Sequence, residues 1–266
     1  MKRYLGYLLI INLFITTCLF FYRNALPSPS ALNPLLRGEP LQTATSKQPF
    51  YVNTKEFRFY IDPVYEYTLH GLVVSKYNAR KKFMARIDKD LNVSDLCVIW
   101  GDNAFRGDYK KITFWSGEFT CFARFVGNKT YYAESLEEAK QLVQQARQSF
   151  FFINEQFSNN HLLTDNPQLA KQLRNVNIGD QISFSGYLVN YGASPNQIYR
   201  YTSTVRTDTG NGACETVYVT SFMTLQKNSY RQAFNLSLIS LFCISIIWLA
   251  YQLTPFTTKN NPEQDD

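Results

Sequence analysis

Hydrophobic and polar positions alternate with a period of two through the later part of the chain. In IGDQISFSGYLVNY, which begins at Ile178, the residues Ile182, Phe184, Gly186 and Leu188 alternate with Gln181, Ser183, Ser185 and Tyr187. That is the pattern of a strand with one buried face. RYTSTVRTDTGNGACETVYVTSF follows, two β-branched and aromatic runs on either side of Thr209-Gly210-Asn211-Gly212. The glycines and Asn tolerate positive φ, so the spacing predicts a hairpin over 200–222. A two-residue Asn211-Gly212 loop would set Asp208 opposite Glu215, like charges facing each other. A four-residue loop over 209–212 sets Arg206 opposite Glu215 instead, and charge pairing selects it, with Gly210 and Gly212 as structural glycines.

Upstream, EFRFYIDPVYEYTLHGLVVSKYN predicts a short strand, a break at Pro63, and a longer strand in which Tyr67, Leu69, Gly71 and Val73 alternate with Thr68, His70, Leu72 and Val74. Gly71 in mid-strand suggests a bend or a close backbone approach, and Gly186 interrupts the later strand in the same way. Residues 79–90 read as a charged loop. Asp95 to Trp100 predicts a buried strand ending at a Gly101-Asp102-Asn103 turn, and Lys111 to Val126 two strand pieces divided by Gly117. Over Ser135 to Ser149, Ser135 and Glu138 form a capping box ahead of a stripe of Leu136, Ala139, Leu142, Val143 and Ala146, which predicts a helix. Phe150 to Ile153 predicts another strand, SNNHLLTDN a loop, and Asp165-Asn166-Pro167 the start of a helix through Leu173.

Both ends carry a different pattern. Tyr4 to Tyr22 contains no charge, and in Ala233 to Leu253 the strongly polar members are Asn235 and Gln252. As helices these runs span roughly 28–32 Å, the thickness of a hydrocarbon core. The first could be a signal peptide, but Phe20, Phe21, Tyr22 and Arg23 stand where small residues would guide cleavage, which favours an uncleaved anchor. The basic Lys2-Arg3 start places both termini in the cytoplasm and the intervening domain outside it, periplasmic if the membrane is a Gram-negative inner membrane. The predicted organisation is an anchor over 1–23, a flexible linker over 24–49 rich in Pro, Ser and Thr, a β-rich domain over 50–230, a second span over 231–254 and a polar tail over 255–266.

Composition sharpens this picture in two places. The formal net charge is +6, but between Asn24 and Tyr230 it is +4, from 22 Lys plus Arg against 18 Asp plus Glu. That charge is too weak and dispersed to call for nucleic acid. Of the five cysteines, Cys18 and Cys243 lie in the apolar runs, leaving Cys97, Cys121 and Cys214 in the domain. In an oxidising compartment one disulfide and one buried thiol follow. Cys97–Cys121 is the preferred pair because each lies mid-strand in runs close in sequence, while a reduced domain is the rival.

A mid-strand glycine in LHGLVVSKY, a helix placed after three strands, and the Gly-Asp start of IGDQISFSGYLVNY together resemble an OB-type five-stranded barrel with insertions, over roughly Glu66 to Leu225. The blocks DLCVIWGDN, GEFTCF, SNNHLL, IGDQISF and STVRTDTGNGACETVYV resemble a group of membrane-anchored bacterial envelope proteins. That resemblance implies an inner-membrane location and no activity. The expected fold is mainly β (α+β), a small OB-like β-barrel with one or two helices between two transmembrane helices.

Candidate chemistry is sparse. The domain's histidines, His70 and His161, have no ligand spacing, HExxH or CxxC beside them, so neither a metal nor a cofactor is expected, and His161 is assigned a bond to a loop carbonyl. Asp102, Glu118, Asp208 and Glu215 could serve a hydrolase, but pairing with Arg124, Arg200 and Arg206 is the simpler role. Tyr187, Tyr191, Tyr199, Arg200, Tyr201 and Arg206 interleave aromatic and basic groups as a ligand or partner face would. The expected function is that of an envelope module, integral through two spans, binding a protein partner or a small ligand. The alternatives are an envelope hydrolase using acidic residues, or a nucleic-acid or secretion-linked binder; nucleic acid is not expected outside the cytoplasm.

Overall fold

The computed structural model describes residues 2–77, 90–117, 120–125, 135–138, 140, 141, 144, 151–205, 207 and 214–253. The chain divides into two compact units, residues 25–228 and the two terminal segments 1–24 and 229–266. The terminal unit is built on two helices, α1 (Lys2–Tyr22) and the last helix, α4 (Ser229–Leu253). Each is long and apolar enough to cross a membrane. Asn12 Nδ2 donates to Ser240 Oγ at 2.8 Å and the Phe20 and Phe234 rings lie 5.9 Å apart, so residue numbers rise along one helix as they fall along the other. The pair is antiparallel. Thr16 and Ser237 are buried within it, small polar residues that let helices approach closely.

The 25–228 unit is organised by one long strand. Its strands are β1 (Leu41–Ala44), β2 (Phe50–Asn53), β3 (Arg58–Tyr77), β4 (Asn92–Ile99), β5 (Ile112–Ser116), β6 (Cys121–Phe125), β7 (Phe157–Leu163), β8 (Gln181–Ser194), β9 (Gln197–Arg200) and β10 (Cys214–Gln226). The short helix α2 covers Gly101–Phe105, and α3 covers Pro167–Arg174. Strand β3 pairs along one edge with β8 and along the other with β2, β1 and β4 in turn. From β4 the antiparallel pairing passes to β7, then in parallel to β10, then antiparallel to β8, which returns it to β3. Strands β5 and β6 form a separate two-stranded sheet.

Pro63 does not break β3. It sits beside an irregularity, where Pro63 lies opposite Val189 and Tyr65 opposite Leu188, so Val64 is an extra residue. Such a bulge tolerates proline and exchanges the faces of a strand. Beyond it Tyr67 and Leu69 enter one core, with Phe184, Val217 and Leu173 of α3; before it Phe59 and Ile61 enter another, with Leu163, Val189 and Tyr191. Gly71 and Gly186 mark close approaches. A Cβ at Gly71 would collide with Val98 Cγ1, and one at Gly186 with the Tyr218 carbonyl.

Four expectations need correction. Residues 25–49 are not a loose linker: Leu32 and Leu36 are buried in a third core with Leu72, Val74 and Tyr109, and β1 belongs to the large sheet. Tyr109 OH donates to the Pro27 carbonyl and Gln181 Nε2 to that of Ala31, so the polar backbone finds partners that a solvated tether would not need. The strand expected at 150–153 begins at Phe157, and SNNHLL, expected as a loop, is that strand, β7. The hairpin over 200–222 forms no strand ladder of its own among the described residues: residues 201–205 lie outside strands, and β10 takes β7 as its parallel partner, with Glu215 opposite Asn160, and β8 as its antiparallel one. Ser203 N still donates to the Cys214 carbonyl, but Arg206, Gly210 and Gly212 lie outside the described residues. The charged loop at 79–89 also falls outside them, as does much of the 135–149 helix; there Ser135 Oγ accepts from Glu138 N and Leu136 is exposed.

Cys97 and Cys121 are bonded, with Cα atoms 5.7 Å apart, joining β4 to the β5–β6 sheet. Burial pushes the Cys214 thiol up, opposed by the Arg200 charge and the bond from Asn159. Burial also lowers the pKa of His70, whose Nδ1 is buried with no hydrogen-bond partner among the described residues. A histidine with a depressed folded value binds fewer protons folded than unfolded, so its contribution to stability is present above about pH 6.5 and is lost as pH falls below it. Urea midpoints measured at about pH 7.5 and 5.5 should therefore fall with pH, and the fall should shrink in His70→Gln; an unchanged difference refutes the assignment.

Candidate ligand-binding site

Strand β7 is polar on both faces, which is why it reads as a loop. Asn159 and His161 point to one side, and Asn160, which donates to Ser158 Oγ, to the other. On the first side the register aligns Asp95 of β4, His161 and Thr216 of β10 in one row, and Cys97, Asn159 and Cys214 in the next. His161 and Asp95 are fully buried, and His161 Nδ1 lies 2.6 Å from Asp95 Oδ1. Tyr191 OH lies 3.4 Å from His161 Nε2, with the two rings stacked at 6.1 Å and 13°. Asn92 Nδ2 also lies 3.2 Å from His161 Nδ1, so three polar side chains surround the imidazole. Asn159 Nδ2 bonds Cys214 Sγ at 3.0 Å, and Arg200 Nε bonds Thr216 Oγ1 at 3.2 Å. These contacts join Tyr191 of β8 and Arg200 of β9 to His161 of β7 and Thr216 of β10. Enclosed as they are, they lock the fold; His161 bonds a carboxylate, not the loop carbonyl expected.

The six aromatic and basic residues singled out by sequence do not share a face. Tyr191 and Arg200, opposite each other on β8 and β9, both turn inward to the buried row. Tyr187 is half-buried against the core around Val189, opposite Tyr218. Tyr199 and Tyr201 are exposed, Tyr201 beyond the end of β9, and Arg206 lies outside the described residues. The acids are scattered too: Asp102 is in α2, Glu215 is buried on β10, and Glu118 and Asp208 lie outside the described residues. Among the described residues no three His, Cys, Asp or Glu side chains gather as a metal would require.

A different face is open, on the four strands β2, β3, β8 and β9. Cross-strand register places Tyr51, Tyr60, Gly192 and Ile198 in one row, Asp62 and Asn190 in the row on one side, and Asn53 and Arg58 in the row on the other. The Tyr51 and Tyr60 rings meet edge-to-face at 5.4 Å, and the Arg58 guanidinium lies 4.0 Å over the Tyr51 ring. Asn190 Nδ2 donates to Asp62 Oδ2 at 3.4 Å. Partial desolvation, then the Asp62 carboxylate, then Tyr51, raise the Tyr60 pKa, which keeps the phenol a neutral donor at physiological pH. Sequence reasoning missed this face because EFRFYID read as an isolated short strand; the alternation of Arg58, Tyr60 and Asp62 was the available signal. Comparison with protein-family models, with curated proteins and with solved structures finds no match to this chain.

Proposed function

We propose that the chain is a membrane-anchored envelope module whose 25–228 unit binds a protein or small ligand outside the cytoplasm. The observation that carries this reading is the antiparallel pair of membrane-length helices at the two ends of one domain, which sends both termini to the same side. The Lys2-Arg3 start supports placing that side in the cytoplasm. The Cys97–Cys121 bond supports an oxidising compartment for the domain, the periplasm where the membrane is a Gram-negative inner membrane. The circuit of pairings β3–β4–β7–β10–β8–β3, with its parallel step between β7 and β10 and α3 between β7 and β8, supports an OB-type barrel. The exposed tyrosine face supports binding, since Tyr and Arg dominate recognition surfaces.

Orientation is tested by reporter fusions. An enzyme active only outside the cytoplasm should work when fused after Asn128 and stay silent when fused after Lys259. Activity at Lys259 with silence at Asn128 would invert the topology and withdraw the periplasmic assignment.

A further inference from the structure

The face of β2, β3, β8 and β9 combines two features that point to one kind of ligand. The first is aromatic surface in reserve. Tyr51 and Tyr60 together offer four ring faces, of which the edge-to-face contact and the Arg58 guanidinium occupy at most two. Tyr51 is 43% exposed. The second is a paired acceptor and donor in the neighbouring row, the Asp62 carboxylate and the Asn190 Nδ2 group, which hydrogen-bond each other while Asn190 Oδ1 accepts from Thr202 N.

Each alternative ligand meets an obstacle. A phosphate backbone would face Asp62, and the one guanidinium in these rows, that of Arg58, is already stacked on a ring. A purely apolar partner would desolvate the carboxylate without pairing it. A hexopyranose meets both features. Its C–H face stacks on a tyrosine, and its vicinal hydroxyls can donate to a carboxylate while accepting from an amide N–H. The absence of net positive charge in the polar pair suits a neutral sugar.

We propose that this face is a saccharide-binding site, with Tyr60 and Tyr51 as the stacking platform and Asp62 with Asn190 as the hydroxyl-recognising pair. The proposal rests on the binding-module reading and adds the ligand class. It is tested by isothermal titration of the full-length chain in nanodiscs with cellohexaose, chitohexaose and maltohexaose. At least one should bind, with a dissociation constant on the order of 1 mM or tighter. Tyr60→Ala should weaken that binding at least tenfold, Asp62→Ala severalfold, and Tyr60→Phe little, because the stacking ring remains. Trp115→Ala, an exposed aromatic on the separate β5–β6 sheet, should bind as the unaltered chain does. The thermal midpoint of each variant separates lost binding from lost folding, and Tyr51→Ala serves as the stacking test if Tyr60→Ala does not fold. No heat from any of the three sugars at about 10 mM, or binding indifferent to both tyrosines, overturns the proposal. Photocrosslinking from position 51 that captures a protein while no sugar binds overturns it in favour of a protein partner. Such failures leave the topology result standing, and an inverted topology would leave the sugar titration unchanged, so the two readings fail separately.

Discussion

Replacing His161 with leucine is expected to destabilise the domain by about 3–5 kcal/mol at neutral pH, among the largest effects of any single change. The substitution removes the partner of Asp95 Oδ1, while Asp95 Oδ2 already has none among the described residues. A fully buried carboxylate is then left without compensation. Asp95→Leu should cost less, about 1–3 kcal/mol, because it strands one ring nitrogen of the imidazole and no carboxylate. The double variant should be less destabilised than His161→Leu alone, since replacing both members of a buried polar pair by apolar groups removes the stranded charge. Denaturant unfolding of the detergent-solubilised chain would show this, with buried Trp100 as a fluorescence reporter. Equal costs for the two single changes, adding in the double, would mean that the side chains do not share one hydrogen bond.

Leu36→Ala is expected to destabilise the same unit by about 2–5 kcal/mol, the cost of emptying a buried leucine site. Leu36 is fully buried against the core that includes Leu72, Val74, Ile99 and Tyr109. Its neighbour Leu35 is 49% exposed, so Leu35→Ala is the control and should stay within about 0.5 kcal/mol of the unaltered protein. A tether would tolerate both changes equally. Equal tolerance in the unfolding series would return residues 24–49 to the linker that their composition suggests.

What was legible in the sequence was set by local rules. The two membrane-length helices follow from unbroken apolar runs, and β8 from strict alternation. The start of α3 follows from Asn166 and Pro167, with Asn166 Oδ1 accepting from Gln168 N and Leu169 N. Gly71 and Gly186 were readable because a glycine inside an alternating strand has few explanations other than a close approach. The Cys97–Cys121 bond could be chosen because both cysteines sit in runs of strand pattern near each other in sequence.

What only the tertiary structure decided was decided by partners distant along the chain. SNNHLL became a strand because β4 and β10 flank it and because Asp95, Leu96 and Cys214, far away in sequence, bond its His161 ring and the Nδ2 groups of its two asparagines. The Pro- and Ser-rich segment after α1 became part of the domain because Tyr109, Gln181 and Asn228 bond its carbonyls, and no local pattern announces such an acceptor's partner. The inward turn of Tyr191 and Arg200 came from the residue pairing between β8 and β9, and the open row of Tyr51 and Tyr60 from the β2–β3 register. Periodicity assigns a side chain to one of two faces; which face is covered depends on the strand that lies over it, and that is fixed by contacts across the whole chain.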